Sequence, residues 1–384
     1  MKFDIERPSL GVLLKYFFHL GATGFGGSIA LAERMRRDMV QRYHWTRETE
    51  FQEALALGQL VPGPLATPVA MYLGWSCHGF WGGALSGIVF VLPSFLIILI
   101  LAAAYLAWGA GAALRPFFEG AGAAVIGIVL VSTAALSRSL LKRDALLWAL
   151  AVFCTFSTAY LRWDPLYPLL GSGILVCLLR MRPSAFNAMA ILPFWAVSGS
   201  HGPATEGLLQ QIFLFFFKSG IVIFGSGLSI LPFLHHGVVR QHAWLSEGQF
   251  LDALAIGLAT PGPMVVTVAF MGYLVAGPAG GALAALGAYL PSFIMVLAAA
   301  PWYHRLAANL GVRHFVSGVS AAAVGALAGA AILMAIPAWN SWIAAGLGIL
   351  CFLCLLRFRS VPEVVFILGA GFLSLGIDIL LRTV

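Results

Sequence analysis

Charge is what this sequence has least of. Lys, Arg, Asp and Glu make up 10% of its 384 residues, and hydrophobic types make up 60%. A soluble domain carries about 25% charge. With a mean hydropathy of +0.93, too little polar surface exists to hold a chain of this length in water. Catalytic and cofactor signatures are missing too. No glycine-rich loop ends in Lys-Ser or Lys-Thr, so no nucleotide-driven motor is built in. No Ser/His/Asp grouping suits hydrolysis. The adjacent His235 and His236 lie in a polar connector and are expected to be solvated, not metal-bound. Neither an enzyme nor a cofactor is expected. The five cysteines fall in apolar stretches; their odd number argues against a disulfide framework. Cys351-x-x-Cys354 reads as packing on a helix. The net charge of +7 sits mostly in short connections between apolar runs, where cytoplasmic loops collect Lys and Arg, so nucleic acid is not an expected partner. The mixed-charge start leads into an apolar run without a small-residue cleavage site, and no cleaved signal peptide is expected.

What is abundant is apolar runs near 20 residues, each long enough for a ~30 Å hydrocarbon core. They are too long and too uniform for barrel strands. The chain therefore reads as an all-α polytopic membrane protein, multi-pass in a lipid bilayer. Spans are expected over 10–32, 80–105, 117–138, 144–161 and 165–181, then 207–231, 279–300, 313–336, 339–356 and 362–381. Between the first two of each set lies a connector (33–50; 232–247), then two apolar arms around Pro62-Gly63-Pro64 and Pro261-Gly262-Pro263. Proline lacks the amide donor and clashes with the preceding turn. Arms near 12 residues are too short to cross alone, so each 51–77 and 248–275 segment reads as a re-entrant hairpin or a broken helix.

The second set repeats the first. An offset of 199 aligns Trp45 with Trp244, Phe51 with Phe250, Gly58 with Gly257 and one PGP with the other, with 12 identities in 26 positions over 45–70. After a one-residue gap, Gly82-Gly83-Ala84-Leu85 matches Gly280-Gly281-Ala282-Leu283, and Pro93-Ser94-Phe95 matches Pro291-Ser292-Phe293. The domains are thus an N-terminal repeat (1–183), a Pro/Gly-bearing linker (184–206) and a C-terminal repeat (207–384). About five spans per repeat, an odd number, makes the two inverted-topology repeats. Charges agree: the first connector carries Arg34, Arg36, Arg37, Arg42 and Arg47, the second only Arg240. Placing the first inside also places Arg138, Lys142, Arg143, Arg180, Arg182, Arg305, Arg313, Arg357 and Arg359 inside, as the positive-inside rule requires. The tail with Lys2, Arg7 and Lys15 is the exception.

A helix broken inside the membrane at matching places in two repeats points to a transport site. The arm after each PGP starts with free amides and about half a positive charge, which suits an oxyanion. Candidate substrate contacts are Pro62, Gly63, Pro64, Pro261, Gly262 and Pro263, with the Thr67 hydroxyl, and with Thr260 and Thr267 close by. Gly26, Gly27 and Ser28 match Gly225, Ser226 and Gly227; such small residues either loosen a helix or let another pack closely. Lys218 falls within an apolar span, and His19 occupies the matching place. An ammonium there costs about 2.5–3.5 kcal/mol or more and should face a cavity or partner. Glu53 and Asp252 match, nine residues before each PGP; each either carries a coupling proton or caps its arm. Glu119 is a further, partly buried proton candidate.

Phe25-Gly26-Gly27, Gly58-Gln59-Leu60-Val61-Pro62-Gly63-Pro64, Tyr72-Leu73-Gly74-Trp75 and Val91-Leu92-Pro93-Ser94-Phe95, each with a second copy, resemble the two-domain chromate ion transporters over essentially the whole chain. The resemblance implies an inner-membrane transporter that exports the chromate dianion on the proton-motive force and confers chromate resistance, with protons as partners. The second copy departs from the pattern in reading Phe224-Gly225-Ser226-Gly227. Asp38, opposite Gly237, stands where many members carry a Glu. A sulfate or other oxyanion carrier and a passive anion channel stay open, as do the coupling ion and a homodimeric state. If a side-chain cation holds the anion, Lys218→Ala should abolish chromate uptake into everted vesicles under an imposed pH gradient while leaving the protein folded.

Overall fold

The computed structural model describes residues 6–109, 111, 113–180, 207–224, 226–338, 342–358 and 361–383; the 184–206 linker and Gly225 lie outside them. Among the described residues every regular element is helical and none is a strand. The first repeat contains α1 (Leu10–Thr23), α2 (Gly27–Met35), α3 (Glu48–Leu60), α4 (Ala66–Ala104), α5 (Arg115–Leu140), α6 (Ala145–Phe156) and α7 (Leu166–Arg180). The second contains α8 (Leu208–Ile221), α9 (Leu231–Leu234), α10 (Glu247–Ala259), α11 (Thr267–Ala299), α12 (Tyr303–Ala308), α13 (Leu310–Ala338), α14 (Trp342–Arg357) and α15 (Glu363–Thr383). Among the described residues five stretches, Ala66–Trp108, Arg115–Leu140, Met264–Trp302, Leu310–Ile336 and Glu363–Arg382, are long and apolar enough to cross a membrane, and five shorter apolar helices accompany them. Large apolar side chains such as Ile100, 69% exposed, cover the outside. Water would not tolerate so much exposed apolar surface on a monomer; lipid does.

Two expected spans are not continuous. Segment 10–32 stops at Thr23 and resumes at Gly27. Gly24 is extended, and Gly26 and Gly27 have φ of 105° and 73°, a left-handed region that glycine enters at little cost. Segment 207–231 likewise breaks after Ile221 and resumes as a short 3₁₀ turn at Gly227. After each break the chain reaches a seven-residue π-helix, Arg36–Arg42 and His235–Gln241. Each π-helix ends in the same corner. His44 and Ala243 have φ of 53° and 50°. Tyr43 stacks on Trp45 at 4.7 Å, and His242 stacks on Trp244 at 4.4 Å. The corner is thus rebuilt at the 199 offset with different side chains.

Helices α4 and α11 fold back on themselves. His78 and Gly79 interrupt α4, with Gly79 at φ 63° and ψ −152°; Ala276 and Gly277 interrupt α11 with nearly the same angles. In a straight helix residues 71 and 87 would lie about 24 Å apart. Here a Cβ on Gly87 would stand 2.6 Å from Met71 Cγ, and one on Gly82 would stand 2.6 Å from His78 Cβ. The first arm (66–77) therefore runs back along the start of the second (80–104). Glycine is required because Gly74 and Gly82 bring the two backbones within reach of each other, as do Gly272 and Gly280.

The two repeats are interlaced. Helix α5 of the first packs on α14 and α15 of the second, while α13 of the second packs on α6 and α7 of the first. Matching glycines make both crossings close. A Cβ on Gly120 would meet the Ala370 backbone, and one on Gly318 the Ser172 backbone. Small residues at such crossings let helices approach to backbone contact. Helices α4 and α11 pack on each other across the middle, where Gly83 faces Leu297 and Gly281 faces Leu99.

Open space surrounds a Cβ added at Gly79 or Gly277, so substitution tests the backbone alone. Gly79→Ala and Gly277→Ala should each destabilise the protein by about 1–3 kcal/mol, the usual cost of a glycine-only conformation. The check is thermal unfolding of the purified protein in detergent; unchanged melting in both would remove the requirement for this turn.

Candidate functional site

Each PGP motif is anchored by the other repeat. After Gln59 and Leu60, Val61 leaves the helix in an extended conformation, and Gly63 turns with φ 140°. The Gly63 amide donates to the Ile223 carbonyl at 2.7 Å, and the Gly262 amide donates to the Gly24 carbonyl at 2.6 Å. These two bonds exchange places under the 199 offset. Each links a PGP glycine to the opposite repeat's broken first helix. Ser94 Oγ also donates to the Gly21 carbonyl at 3.0 Å, beside Gly262. Backbone groups freed by the breaks thus find partners in each other, as an apolar surround demands.

Beside this crossing lies an open cleft. The Phe25–Ser28 break, the turn at Ser226 and Gly227, and the end of α10 with Gly262 form its walls; Glu363, first residue of α15, completes it. Two α-helices, the nine-residue α2 and the longer α15, begin at the cleft. Their starts carry the positive end of the helix dipole. The Ser226 hydroxyl accepts from the Leu228 amide at 3.3 Å, which fixes the turn.

Of the residues singled out in the sequence, Gly26, Gly27, Ser28, Ser226, Gly227 and Gly262 line this cleft, as does Thr260. Pro62, Gly63, Pro64, Pro261 and Pro263 do not; they hold the crossing beside it. Thr67 is fully buried, and its hydroxyl finds no partner among the described residues. The Thr267 hydroxyl donates to the Met264 carbonyl at 2.7 Å. Lys218 is half-buried near the end of α8, outside the lining. His19 lies on an exposed face of α1.

The matching carboxylates stand apart from the cleft and from each other. Glu53 accepts from the Tyr72 hydroxyl at 2.8 Å, and Asp252 from the Tyr105 hydroxyl at 2.7 Å. Tyr72 lies against the start of α4's second arm, while Tyr105 follows its end. About 20 residues of helix separate them, roughly 30 Å. Glu119 is exposed rather than partly buried, because it points outward at the base of α5 and pairs with Arg115 at 3.0 Å. His235 is not solvated either. The π-helix turns it inward to 2% exposure, against the Phe250 ring and 2.8 Å from Glu247. In the first repeat Arg36 and Glu48 occupy those places and pair at 3.0 Å near the surface. There the Gln52 amide and the Arg36 guanidinium hold the Glu48 carboxyl below its usual range. Among the described residues no cluster of His, Cys, Asp and Glu could hold a metal ion. Glu363 escaped the sequence reading because its counterpart at the offset is Pro165, so the repeat comparison gave it no weight.

A bundle of apolar helices, broken at matching places around a cleft of backbone donors, defines a multi-pass membrane transport protein. The chain belongs to the chromate transporter family: the profile described as Chromate transporter matches residues 12–208 and 210–375. It is 40% identical to a chromate transport protein of Cupriavidus metallidurans over 372 residues, 96% of this chain and 93% of that one. It is 42% identical to a probable chromate transport protein of Synechococcus elongatus over 332 residues, 85% and 84% of the two chains. A chromate transport protein of Pseudomonas aeruginosa is 30% identical over 340 residues. No solved structure matches.

A Cβ on Gly63 would overlap Ser292, and one on Gly262 would overlap Ser94. Both glycines also hold positive φ. Gly63→Ala and Gly262→Ala should therefore each lower the melting temperature, by similar amounts and by more than Gly79→Ala. Thermal unfolding of the three variants side by side checks the order.

Proposed function

We propose that this protein exports chromate across the bacterial inner membrane, driven by the proton-motive force, and so confers chromate resistance. The oxyanion site is the cleft between the Phe25–Ser28 break, the Ser226 turn, Gly262 and the start of α15. One observation carries this reading: two helix starts and both repeats' broken segments converge on one open cleft. Backbone amides and helix dipoles favour a tetrahedral oxyanion. The relatives named chromate transport proteins support the choice of anion.

The two repeats run in opposite senses across the membrane, with each PGP hairpin re-entrant. The carboxylate–tyrosine pairs at opposite ends of α4's second arm support the inversion. The exchanged contacts of Gly63 and Gly262 support it as well, since mutual contacts of this kind are what a two-fold relation produces. The interlaced helices make the two repeats one working unit.

Lys218 and His19 stand outside the cleft, so flux through Lys218→Ala separates two arrangements. Abolished flux places a side-chain cation in the path. Retained flux leaves the anion to the backbone donors of the cleft.

Everted vesicles should accumulate labelled chromate under an imposed pH gradient and lose the accumulated label when the gradient is collapsed. A passive channel would equilibrate at the same rate with or without the gradient. Excess sulfate should compete weakly with chromate; equal competition would make this a general oxyanion carrier.

A further inference from the structure

Glu363 is the one carboxylate in the cleft. Of the carboxylates in the described residues, all but Glu6 and Glu363 have a hydrogen-bond or ion-pair partner. Glu6 is exposed at the beginning of the described chain. Glu363 is half-buried, at the first position of a long apolar helix.

Among the described residues no cation pairs with it. Helix α15 packs on α5, α10 and α14. Their ionisable groups are Arg115, Glu119 and Arg138 on α5, Glu247 and Asp252 on α10, and Arg357 with the thiols Cys351 and Cys354 on α14. Across the cleft, α2 brings Glu33 and Arg34. None of these bonds or pairs with Glu363. Most are engaged elsewhere: Arg115 with Glu119, Glu247 with His235, Asp252 with Tyr105, Arg34 with Asp38 and Glu33 with Arg36. Arg357 lies over the Phe358 ring. Glu363 also has no equivalent in the first repeat, where Pro165 stands. It is therefore an addition to one repeat and not part of the shared scaffold.

We propose that Glu363 is the proton acceptor of the oxyanion cleft: a dianion enters beside it only as the carboxylate takes up a proton. This rests on the cleft being the oxyanion site. While the cleft is empty, the dipole of its own helix favours the ionised carboxylate. An arriving dianion meets that charge with no cation paired to it among the described residues, and like charges in one confined site favour protonation of one of them. A hydronium ion from the solvent gives its proton to a Glu363 carboxylate oxygen and leaves as water: one O–H bond breaks and one forms. Anion and proton then bind with positive linkage, and each strengthens the other by the same factor; the pair carries one net negative charge outward, so the membrane potential is the part of the proton-motive force that drives export.

The test is equilibrium binding of sulfate and of chromate to the purified full chain in nanodiscs, across a pH series. Sulfate is included because it stays dianionic throughout. In the wild-type protein, sulfate affinity should rise as pH falls, by up to about tenfold per unit for one linked proton. Binding in weak buffer should raise the pH reported by an indicator dye. Glu363→Gln should bind at least as tightly as the wild type at its acid limit, with no pH slope and no dye signal. Glu363→Asp, which keeps a titratable group, should retain both. A Glu363→Gln protein with the wild-type slope overturns the proposal and leaves the cleft reading intact. Wild-type binding without any slope does the same. Absence of oxyanion binding by the wild type at every pH overturns both.

Discussion

Two backbone hydrogen bonds hold the centre of this molecule, from Gly63 to Ile223 and from Gly262 to Gly24. Each PGP motif leaves amides and carbonyls without helical partners, and hydrocarbon supplies no water to satisfy them. A bare polar group there costs several kcal/mol. Each repeat meets the need with the other repeat's broken helix. A lone repeat would carry both a PGP turn and a broken first helix with nothing to bond. The interlacing of α5 with α14 and α15, and of α13 with α6 and α7, follows the same logic on a larger scale: the apolar face of each central helix is covered by the partner repeat.

Duplication fixes the scaffold, and divergence fixes the function. The π-helical corners, the folded-back α4 and α11 and the close glycine crossings recur with nearly the same geometry. The carboxylates recur, Glu53 with Asp252 and Glu48 with Glu247, but their partners do not. Arg36–Glu48 near the surface becomes the inward His235–Glu247 pair. Helix α10 packs along α5 and α15, whereas α3 makes little of the matching contact with α13 and α7. The cleft lies on the α10 side. A molecule with two similar frames and one chemically distinct cleft has a defined polarity despite its internal symmetry.

The sequence made the frame legible because membrane helices leave strong traces. Among the described residues ten apolar helices stand close to the ten segments expected from hydropathy, and the long helices of the two halves recur at the 199 or 198 offset. Other features stayed hidden for physical reasons. The break at Gly24 to Gly26 lies inside an apolar run, where hydropathy is blind to backbone conformation. The fold-back at Gly79 depends on one φ/ψ pair that composition cannot encode, since glycine is also common where helices merely pack. Lys218 and His19 drew attention as polar residues in apolar runs, yet neither faces the cleft. Glu363 drew none, because it begins a helix, where acidic residues are ordinary. Position in the fold, not residue type, separates it from the other carboxylates.

The make-up of the cleft bears on how a transporter releases what it binds. A dianion held by several full cations in an apolar surround would be bound too tightly to leave, and transport requires a site strong enough to fill and weak enough to empty. In the proposed site the donors are backbone amides and helix starts worth about half a charge each, together with the Ser28 and Ser226 hydroxyls that line the cleft. Fixed dipoles of this kind need no side-chain rearrangement between loaded and empty states. The one full charge at the cleft, Glu363, has the sign of the cargo. Under the proposed linkage its ionised form opposes binding and its neutral form permits it, which would place affinity under the control of a single proton rather than of a conformational change in the ligand shell.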